Sequence, residues 1–353
     1  MKHSYNSLNS LFYTTMMGKR SQLFTVLLLL PLLFVACTES NGNFRIEGSF
    51  KNFNQGELYV YSLDPQAKGL RDTIQLMNGK FAYELAVEDS LMLSIIFPNY
   101  SELPVFASKG GKVTVSGDAS HLKGTEVHGT AENDLLTDFR LTTNELMPPE
   151  VVKAAAKFVE EHPLSGVSLY LINKHFVLRS DPDYKQAIRL LDKMIDASPA
   201  NDNLQKYRSQ LQHIQSSALR SSLPKFAAVT VDGKKVSDAD LKGKIGIISI
   251  WSTWQLDGYM QQQIHEMTRK YGSRLAVLAI SMDPSIKDCR DAMRRDSITW
   301  PTVCDGLVWQ SPIVDQLGIT AVPDNMVVNE HGTIIARSLS TRELVEKIKT
   351  LIP

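Results

Sequence analysis

The sequence is poor in cysteine, with only three among its 353 residues, at positions 37, 289 and 304. No two of them stand three residues apart, so the chain contains no Cys-x-x-Cys pair of the kind that exchanges disulfides. The chain also has no excess of either charge, because 38 basic and 38 acidic side chains give a formal net charge of +0. Without a basic surplus there is no electrostatic reason to expect nucleic acid as a partner.

Other kinds of site chemistry are missing from the sequence as well. No glycine-rich nucleotide loop, Ser/His/Asp arrangement or cluster of metal-ligand type is visible, so neither a cofactor nor a metal is expected. His121 and His128 lie in loop-like sequence without cysteine or carboxylate neighbours at ligand spacing. We interpret both as surface histidines.

Residues 1–36 predict an export signal. A basic pair at 19–20 precedes a nearly continuous apolar run at 23–35, and the run ends at Ala36 and Cys37. This run is too short for a confident membrane span, and its order matches a secretory signal. The segment 34–37 resembles a bacterial lipobox, which implies lipidation at Cys37 and a membrane anchor through the attached lipid.

An ordinary signal peptide with an incidental cysteine stays open as an alternative. We favour a lipoprotein because the polar residues 37–43 are typical of a tether. No Asp follows Cys37, so the lipoprotein resemblance implies an outer-membrane anchor that faces the periplasm. Met17 is an alternative start to Met1.

Residues 44–130 predict an all-β domain, a small sandwich or partial barrel, because short apolar or alternating runs are separated by turn residues. Asn78-Gly79 between two such runs is the strongest hairpin signal, since both positions must tolerate positive φ. The stretch resembles the domain of unknown function (DUF4369-like) that precedes thioredoxin-like domains in many bacterial lipoproteins. The resemblance is carried by Asp72-Thr73, the segments 78–81 and 103–106, and Gly110-Gly111.

Residues 131–220 change to a helical period. Apolar side chains recur at helical spacing in five segments, and Pro149 and Pro182 stand near predicted helix starts. These stripes are typical of packing faces rather than of cofactor sites. We interpret the segment as a helical connector between two domains.

Residues 221–353 predict an α/β layer domain. Apolar runs at 245–250 and 275–280 are buried parallel strands, the first followed by a helix near 259–270 and the second by a helix at 286–295. A third strand at 298–303, a closing hairpin and a final helix at 342–351 follow. The resulting order, βαβαβ and then ββα, fits a thioredoxin-like architecture.

The corner at 251–258 joins the first of these strands to its helix. Such a corner is a common position for reactive groups, because the helix start offers free N–H groups and the positive end of its dipole. It resembles the Trp-Cys-x-x-Cys corner of thioredoxin-like thiol:disulfide interchange proteins of the TlpA/ResA type. The segment that precedes the motif is retained as Trp251, Ser252, Thr253 and Trp254. The two cysteine positions are occupied by Gln255 and Gly258. An amide cannot attack a disulfide, so the sequence predicts no catalytic residue at this corner.

The loop at 318–323 resembles the family's loop with a cis proline, Pro323 here. The resemblance implies that the backbone of Val322 pairs with an extended peptide, and this pairing needs no thiol. Asp324 follows where Thr is usual, and beside Asp257 it predicts an acidic rim. Trp254 is interpreted as an exposed anchor on that rim, with simple packing on the helix as the alternative.

Gln255 has two open interpretations. Its side chain forms hydrogen bonds at the helix start, or it is a neutral replacement at a position that no longer takes part in a reaction. Cys289 and Cys304 are the remaining cysteines. Strand order predicts both toward the same sheet edge as the corner, so a disulfide between them is geometrically allowed. Separate structural cysteines are the favoured interpretation, because Cys289 shares an apolar helix face.

These observations favour a cell-envelope module that binds a protein or an extended peptide without catalysis. Two alternatives remain. One is an atypical oxidoreductase that uses Cys289 and Cys304, and the other is a structural envelope protein whose β domain is the working part.

Overall fold

The computed structural model describes residues 42–255 and 258–353, so the predicted signal peptide, Cys37, most of the tether and Asp257 lie outside the described residues. The chain separates into two compact units, one that ends at Asn144 and one from Glu145 to Pro353. Among the described helices, none combines the length and the apolar character that a membrane span requires.

The first unit is built on one eight-stranded sheet, and this confirms its all-β class. The hydrogen-bonded strand order is β6-β5-β2-β3-β4-β1-β7-β8, and neighbours are antiparallel except for the β1–β7 pair. Asn78 and Gly79, at φ values of 52° and 73°, form the predicted turn between β3 and β4. The strands are β1 (Phe44–Lys51), β2 (Gln55–Tyr61), β3 (Arg71–Met77), β4 (Lys80–Leu85), β5 (Leu91–Ile96), β6 (Glu102–Ala107), β7 (Lys112–Asp118) and β8 (Glu126–His128).

The sheet curls around its own core. The ring of Phe50, on β1, lies 5.2 Å from that of Phe97, which directly follows β5. Four strand spacings separate β1 from β5 in the sheet order, roughly 19 Å if the sheet were flat. The contact between the rings therefore requires the sheet to fold over, as a small sandwich or partial barrel does.

One helix, α1 (Ala131–Thr143), connects the two edge strands of this sheet. The Asn133 side chain accepts a hydrogen bond from the Phe106 N–H at 2.9 Å and donates to the Phe106 carbonyl at 2.7 Å, on β6. Thr137 makes the same two bonds with Val127, on β8, at 3.0 and 2.8 Å. The helix thus satisfies edge groups that would otherwise be free to pair with another chain.

Replacement of Asn133 tests this clamp. We expect Asn133→Ala to lower the free energy of unfolding by about 2–4 kcal/mol, because it leaves a buried N–H and a buried carbonyl of β6 unpaired. Urea titration followed by circular dichroism measures the loss. Asp138→Ala, an exposed position on the same helix, is the matched control and should change stability by no more than about 0.5 kcal/mol. Equal effects of the two substitutions would contradict the clamp.

The structure corrects one detail of the histidines. His128 is a half-exposed surface side chain, but it does have carboxylate partners, with Nδ1 at 2.7 Å from Asp134 and Nε2 at 3.1 Å from Glu126. The hydrogen bond to Asp134 raises the pKa of His128 above its ordinary value. Sequence spacing missed Asp134 because the chain turns from β8 into α1 between the two residues.

The second unit begins with helices that belong to the predicted connector. Side-chain caps set several of their starts, with Ser165, Asp183 and Asn201 each accepting a backbone N–H of the first turn. The third predicted helix is shorter than expected, because a π-helical turn over Asn173–Val177 continues it. The helices are α2 (Pro148–Glu161), α3 (Gly166–Ile172), α4 (Tyr184–Ala197) and α5 (Asp202–Ser216).

The rest of this unit is an α/β layer domain, as predicted. A small hairpin precedes a five-stranded sheet of order β13-β12-β11-β14-β15. The strands β11, β12 and β13 are parallel to one another, while β14 is antiparallel to both of its neighbours, β11 and β15. The strands are β9 (Ala227–Val229), β10 (Lys235–Ser237), β11 (Ile245–Trp251), β12 (Leu275–Ser281), β13 (Thr302–Val303), β14 (Asp324–Val328) and β15 (Ile334–Arg337). The helices are α6 (Tyr259–Tyr271), α7 (Ile286–Arg295), α8 (Pro312–Gln316) and α9 (Thr341–Leu351).

Alternation along β11 divides the core into two layers. Ile247 and Trp251 pack with α6, α7 and α9 on one face, and Ile248 and Ile250 pack with α8 on the other. Burial on both faces explains why the strand is a continuous apolar run. The predicted third strand shortens to two residues, since Pro301 has no N–H to donate to the ladder.

The connector helices pack against the α/β domain. Gly318 has a positive φ of 55°, and a Cβ there would lie 2.7 Å from the Ile214 Cα of α5. Glycine is therefore required where α8 ends against α5. The link between the connector and the sheet is also hydrogen-bonded, because the N–H groups of Arg220 and Leu223 donate to carbonyls of Ile334 and Gly332.

Candidate functional site

The site lies at the end of β11, where the chain leaves the sheet for α6. All seven residues of β11 are buried between β12 and β14, which fixes the position of Trp251 at the strand end. Ser252 begins a tight turn, in which its N–H donates to Gln255 Oε1 at 3.1 Å and its carbonyl accepts the Gln255 N–H at 3.4 Å. The Gln255 amide oxygen therefore stabilises the corner itself.

Gly258 is the N-cap of α6 and leaves open space at the second cysteine position. A Cβ built there meets no atom within 4 Å among the described residues. The backbone of the corner therefore admits a side chain at 258, although the sequence supplies none. Asp257 lies outside the described residues, so its place on the rim stays a prediction.

A buried carboxylate that the sequence analysis missed anchors the corner. Asp283 is 1% exposed, and its Oδ1 accepts hydrogen bonds from the N–H of Thr253 at 2.9 Å and from its hydroxyl at 2.6 Å. Its Oδ2 accepts the Ser281 hydroxyl at 2.7 Å. The available signal was an acidic residue two positions after the end of a buried strand, at the sheet edge where ligands bind in open α/β folds.

Opposite the corner, the peptide bond between Val322 and Pro323 is cis, as the resemblance implied. Between this loop, the corner and α6 lies a groove of about 690 Å³. Trp254 lines it with 52% of its surface exposed, so it lies on the rim and is not packed beneath the helix. The structure thus brings Trp254, Gln255, Gly258, Val322 and Pro323 together around one groove.

Three residues that line this groove each have a buried polar atom without a protein partner among the described residues: Trp251 Nε1, Ser252 Oγ and Gln261 Oε1. The other amide atom of Gln261 donates to Ser249 Oγ at 2.9 Å, which holds the side chain against the sheet. A buried polar atom without a partner costs about 1–3 kcal/mol. Residues of the groove wall therefore keep hydrogen-bonding capacity that no described protein atom satisfies.

The charged residues of the groove neutralise each other. Arg295 and Asp296 line it and form a bidentate pair, both bonds at 2.9 Å. The prediction that Asp324 makes the rim acidic is wrong. Asp324 is buried and faces away from solvent, where it accepts hydrogen bonds from its neighbour's N–H and from Ser338 Oγ at 2.8 Å and lies 3.8 Å from Arg337.

The Asp324–Arg337 pair is structural. Burial lowers the pKa of Arg337, and the charge of Asp324 opposes that shift. The guanidinium also donates to the carbonyls of Ser217 and Gly318. Sequence analysis could not assign this partner, because Arg337 follows 13 positions later on the paired strand β15.

Cys289 and Cys304 are both buried free thiols of the same core cluster, and each shifts the pKa of the other. Cys289 is on α7, while Cys304 directly follows β13, and its Sγ lies 3.5 Å from the carbonyl oxygen of Asp283. The hydrogen bond from the Cys289 thiol lowers the pKa of Cys304 and raises that of Cys289. Cys304 therefore contacts the main chain of Asp283, whose side-chain carboxylate anchors the corner.

Comparison with known proteins assigns a family to each domain. Residues 44–136 match the domain of unknown function DUF4369, and residues 219–337 match the AhpC/TSA family. Curated relatives include the thiol-disulfide oxidoreductases ResA of Bacillus thuringiensis subsp. konkukian and of Bacillus cereus. Each is 22% identical over 135 residues, which are 37% of this chain and 76% of the relative.

Similar solved structures include a thiol-disulfide oxidoreductase from Bacteroides fragilis, at 25% identity and a TM-score of 0.35, over 37% of this chain and 99% of that one. A DsbF homologue from Corynebacterium diphtheriae is 23% identical with a TM-score of 0.33, over 37% of this chain and 87% of that one. The chain therefore carries a DUF4369 domain followed by a thioredoxin-like domain that matches the AhpC/TSA family and is homologous to the ResA-type oxidoreductases.

Proposed function

We propose that this protein is an envelope lipoprotein whose thioredoxin-like domain binds extended peptide segments and does not exchange disulfides. The observation that carries the proposal is the groove, which keeps the exposed Trp254 and the Val322–Pro323 loop while Gln255 and Gly258 replace the sulfur atoms. A groove without a nucleophile still binds through main-chain pairing and an aromatic anchor.

The groove also suggests the chemistry of its ligand. Its lining residues include an unpartnered buried donor, Trp251 Nε1, and an unpartnered buried acceptor, Gln261 Oε1. Its only charged lining side chains among the described residues are paired with each other. Backbone amides and uncharged polar side chains supply both kinds of hydrogen bond. We therefore propose a neutral, extended polypeptide as the ligand rather than an ionic one.

Envelope localisation rests on the N-terminal sequence. A basic pair at 19–20, an apolar run at 23–35 and Cys37 are the features of a lipoprotein signal. We propose an outer-membrane anchor, with the two folded units in the periplasm.

The alternative oxidoreductase has one observation in its favour, the contact between Cys289 and Cys304. Against it stands their burial, with exposed fractions of 0% and 5%. A nucleophilic thiol must reach the sulfur of its substrate, which a buried pair does not do without opening of the structure.

Two exposed tryptophans allow a matched test of peptide binding. Trp254 lines the groove at 52% exposure, and Trp309 is 51% exposed but does not line it. The probe is a synthetic peptide of uncharged residues with blocked termini, an extended chain without thiols, and its affinity for the full-length protein is measured by calorimetry. We expect Trp254→Ala to weaken binding about tenfold, the effect of truncating an aromatic anchor, and Trp309→Ala to leave it unchanged.

Binding that both substitutions weaken equally, or that neither affects, would contradict the groove as the binding site. Absence of any binding by the wild-type protein would contradict the proposed ligand class.

A further inference from the structure

Cys289 and Cys304 form a second site in the thioredoxin-like domain, separate from the groove and its missing Cys-x-x-Cys. They are the only cysteines among the described residues, 15 positions apart in sequence, yet both are buried in one core cluster and each shifts the pKa of the other. Ser281, at the end of β12, lies within hydrogen-bonding reach of both sulfur atoms. Two neighbouring thiols of one buried cluster form a disulfide when their Cα atoms lie within about 7 Å of each other.

We infer that Cys289 and Cys304 are a modification site, a dithiol that an oxidising disulfide converts to a cystine, and that its redox state is transmitted through Asp283 to the corner of the groove. This inference concerns thiols that the proposed peptide binding does not use. It stands whether or not the groove binds a peptide.

Cys304 is the residue that reacts first. The neighbouring Cys289 thiol and the Gly306 N–H lower the pKa of Cys304 relative to an ordinary thiol. Cys304 is also the more exposed of the two. Because a thiolate is the attacking species, these contacts favour Cys304 over Cys289 as the nucleophile.

The reaction is a thiol–disulfide exchange with a small or protein disulfide of the envelope. The Cys304 thiolate attacks one sulfur of the donor, a mixed disulfide forms, and the other donor sulfur leaves as a thiolate. The Cys289 thiolate then attacks the Cys304 sulfur and releases the second donor sulfur. Two electrons and two protons pass from the cysteine pair to the donor, which is reduced to two thiols.

The link to the groove is a short chain of hydrogen bonds. The Cys304 thiol donates to the Asp283 carbonyl at 3.5 Å, and the Asp283 carboxylate holds the N–H and hydroxyl of Thr253. A sulfur in a disulfide has no proton, so oxidation removes the bond from Cys304 to Asp283. Ser281, which contacts both thiols and the Asp283 carboxylate, is perturbed in the same step.

The burial of the pair determines how oxidation proceeds. Exposed fractions of 0% and 5% require a local opening of α7, so we expect slow oxidation under native conditions. Once formed, the bridge joins α7 to the end of β13.

The test uses the full-length protein, treated with excess glutathione disulfide or with dithiothreitol. Peptide mapping by mass spectrometry should find a Cys289–Cys304 linkage in the first sample and both Cys289 and Cys304 as alkylatable thiols in the second. Hydrogen exchange of the Thr253 amide, which donates directly to Asp283, reports on the corner. We expect that amide to exchange about fivefold faster in the oxidised protein, the effect of weakening one hydrogen bond.

The variant Cys289→Ser cannot form the bridge, and its Thr253 amide should exchange at the same rate under both treatments. Reversal of the wild-type change by dithiothreitol provides the same control if that variant does not fold. Thiols that stay free in the native protein under oxidant would overturn the modification site. A linkage that forms without any change at Thr253 would overturn the coupling.

Discussion

The double substitution Gln255→Cys/Gly258→Cys should turn this protein into a disulfide reductase. Gly258 has open space for a side chain and is the N-cap of the 13-residue helix α6, and Gln255 precedes it by three positions. A thiol with an ordinary pKa of about 8.5 is roughly 3% ionised at pH 7, whereas one lowered to about 6.5 at a helix start is roughly 75% ionised. Insulin reduction should therefore rise well above the wild-type background.

The matched control is Gln255→Ser/Gly258→Ser, which removes the same hydrogen bond from Gln255 to Ser252 and adds side chains of similar size without sulfur. It should stay at the wild-type rate. If the cysteine variant forms its disulfide but turns over no faster than this control, the corner is not a retained thiol-enzyme frame.

Loss of Asp324 should cost more stability than loss of any surface carboxylate of this domain. The side chain is 3% exposed and faces Arg337, whose guanidinium is itself largely buried. Removing one partner of a buried pair leaves an uncompensated charge, so Asp324→Ala should lower the free energy of unfolding by about 3–5 kcal/mol. Chemical denaturation followed by tryptophan fluorescence measures the change.

Asp291→Asn is the comparison for this substitution. Asp291 pairs with Lys287 and Arg294, but all three side chains are exposed, and such a pair is worth about 0–1 kcal/mol. A loss in Asp324→Ala as small as that in Asp291→Asn would show that Asp324 is a surface residue, as the sequence had predicted. The peptide affinity of the groove should survive Asp324→Ala at temperatures where the variant is folded.

The sequence identifies both domains because their patterns are local. Asn78-Gly79 specifies its turn through two positive φ values, and the apolar run of β11 indicates burial on two faces. Family resemblance correctly implied the cis bond before Pro323. Each of these features depends on a few consecutive residues, which is why sequence patterns reveal them.

Features that depend on distant partners were missed. Asp324 is predicted as a rim residue because its partner Arg337 lies on a different strand, β15. Asp283 is missed because the Thr253 groups that it binds follow the end of another strand, β11. Cys289 and Cys304 were placed toward one sheet edge, but their contact depends on how α7 packs on β12 and β13. Burial and tertiary pairing decide these roles, and neither is encoded in residue spacing.

The most direct test of the central claim is the rate at which the wild-type full-length protein reduces insulin disulfides with dithiothreitol as electron donor. With an amide and a glycine at the two sulfur positions, the rate should equal that of dithiothreitol alone and should not change in Cys304→Ser. Sustained turnover above that background would contradict the account, and its loss in Cys304→Ser would assign the activity to the buried pair.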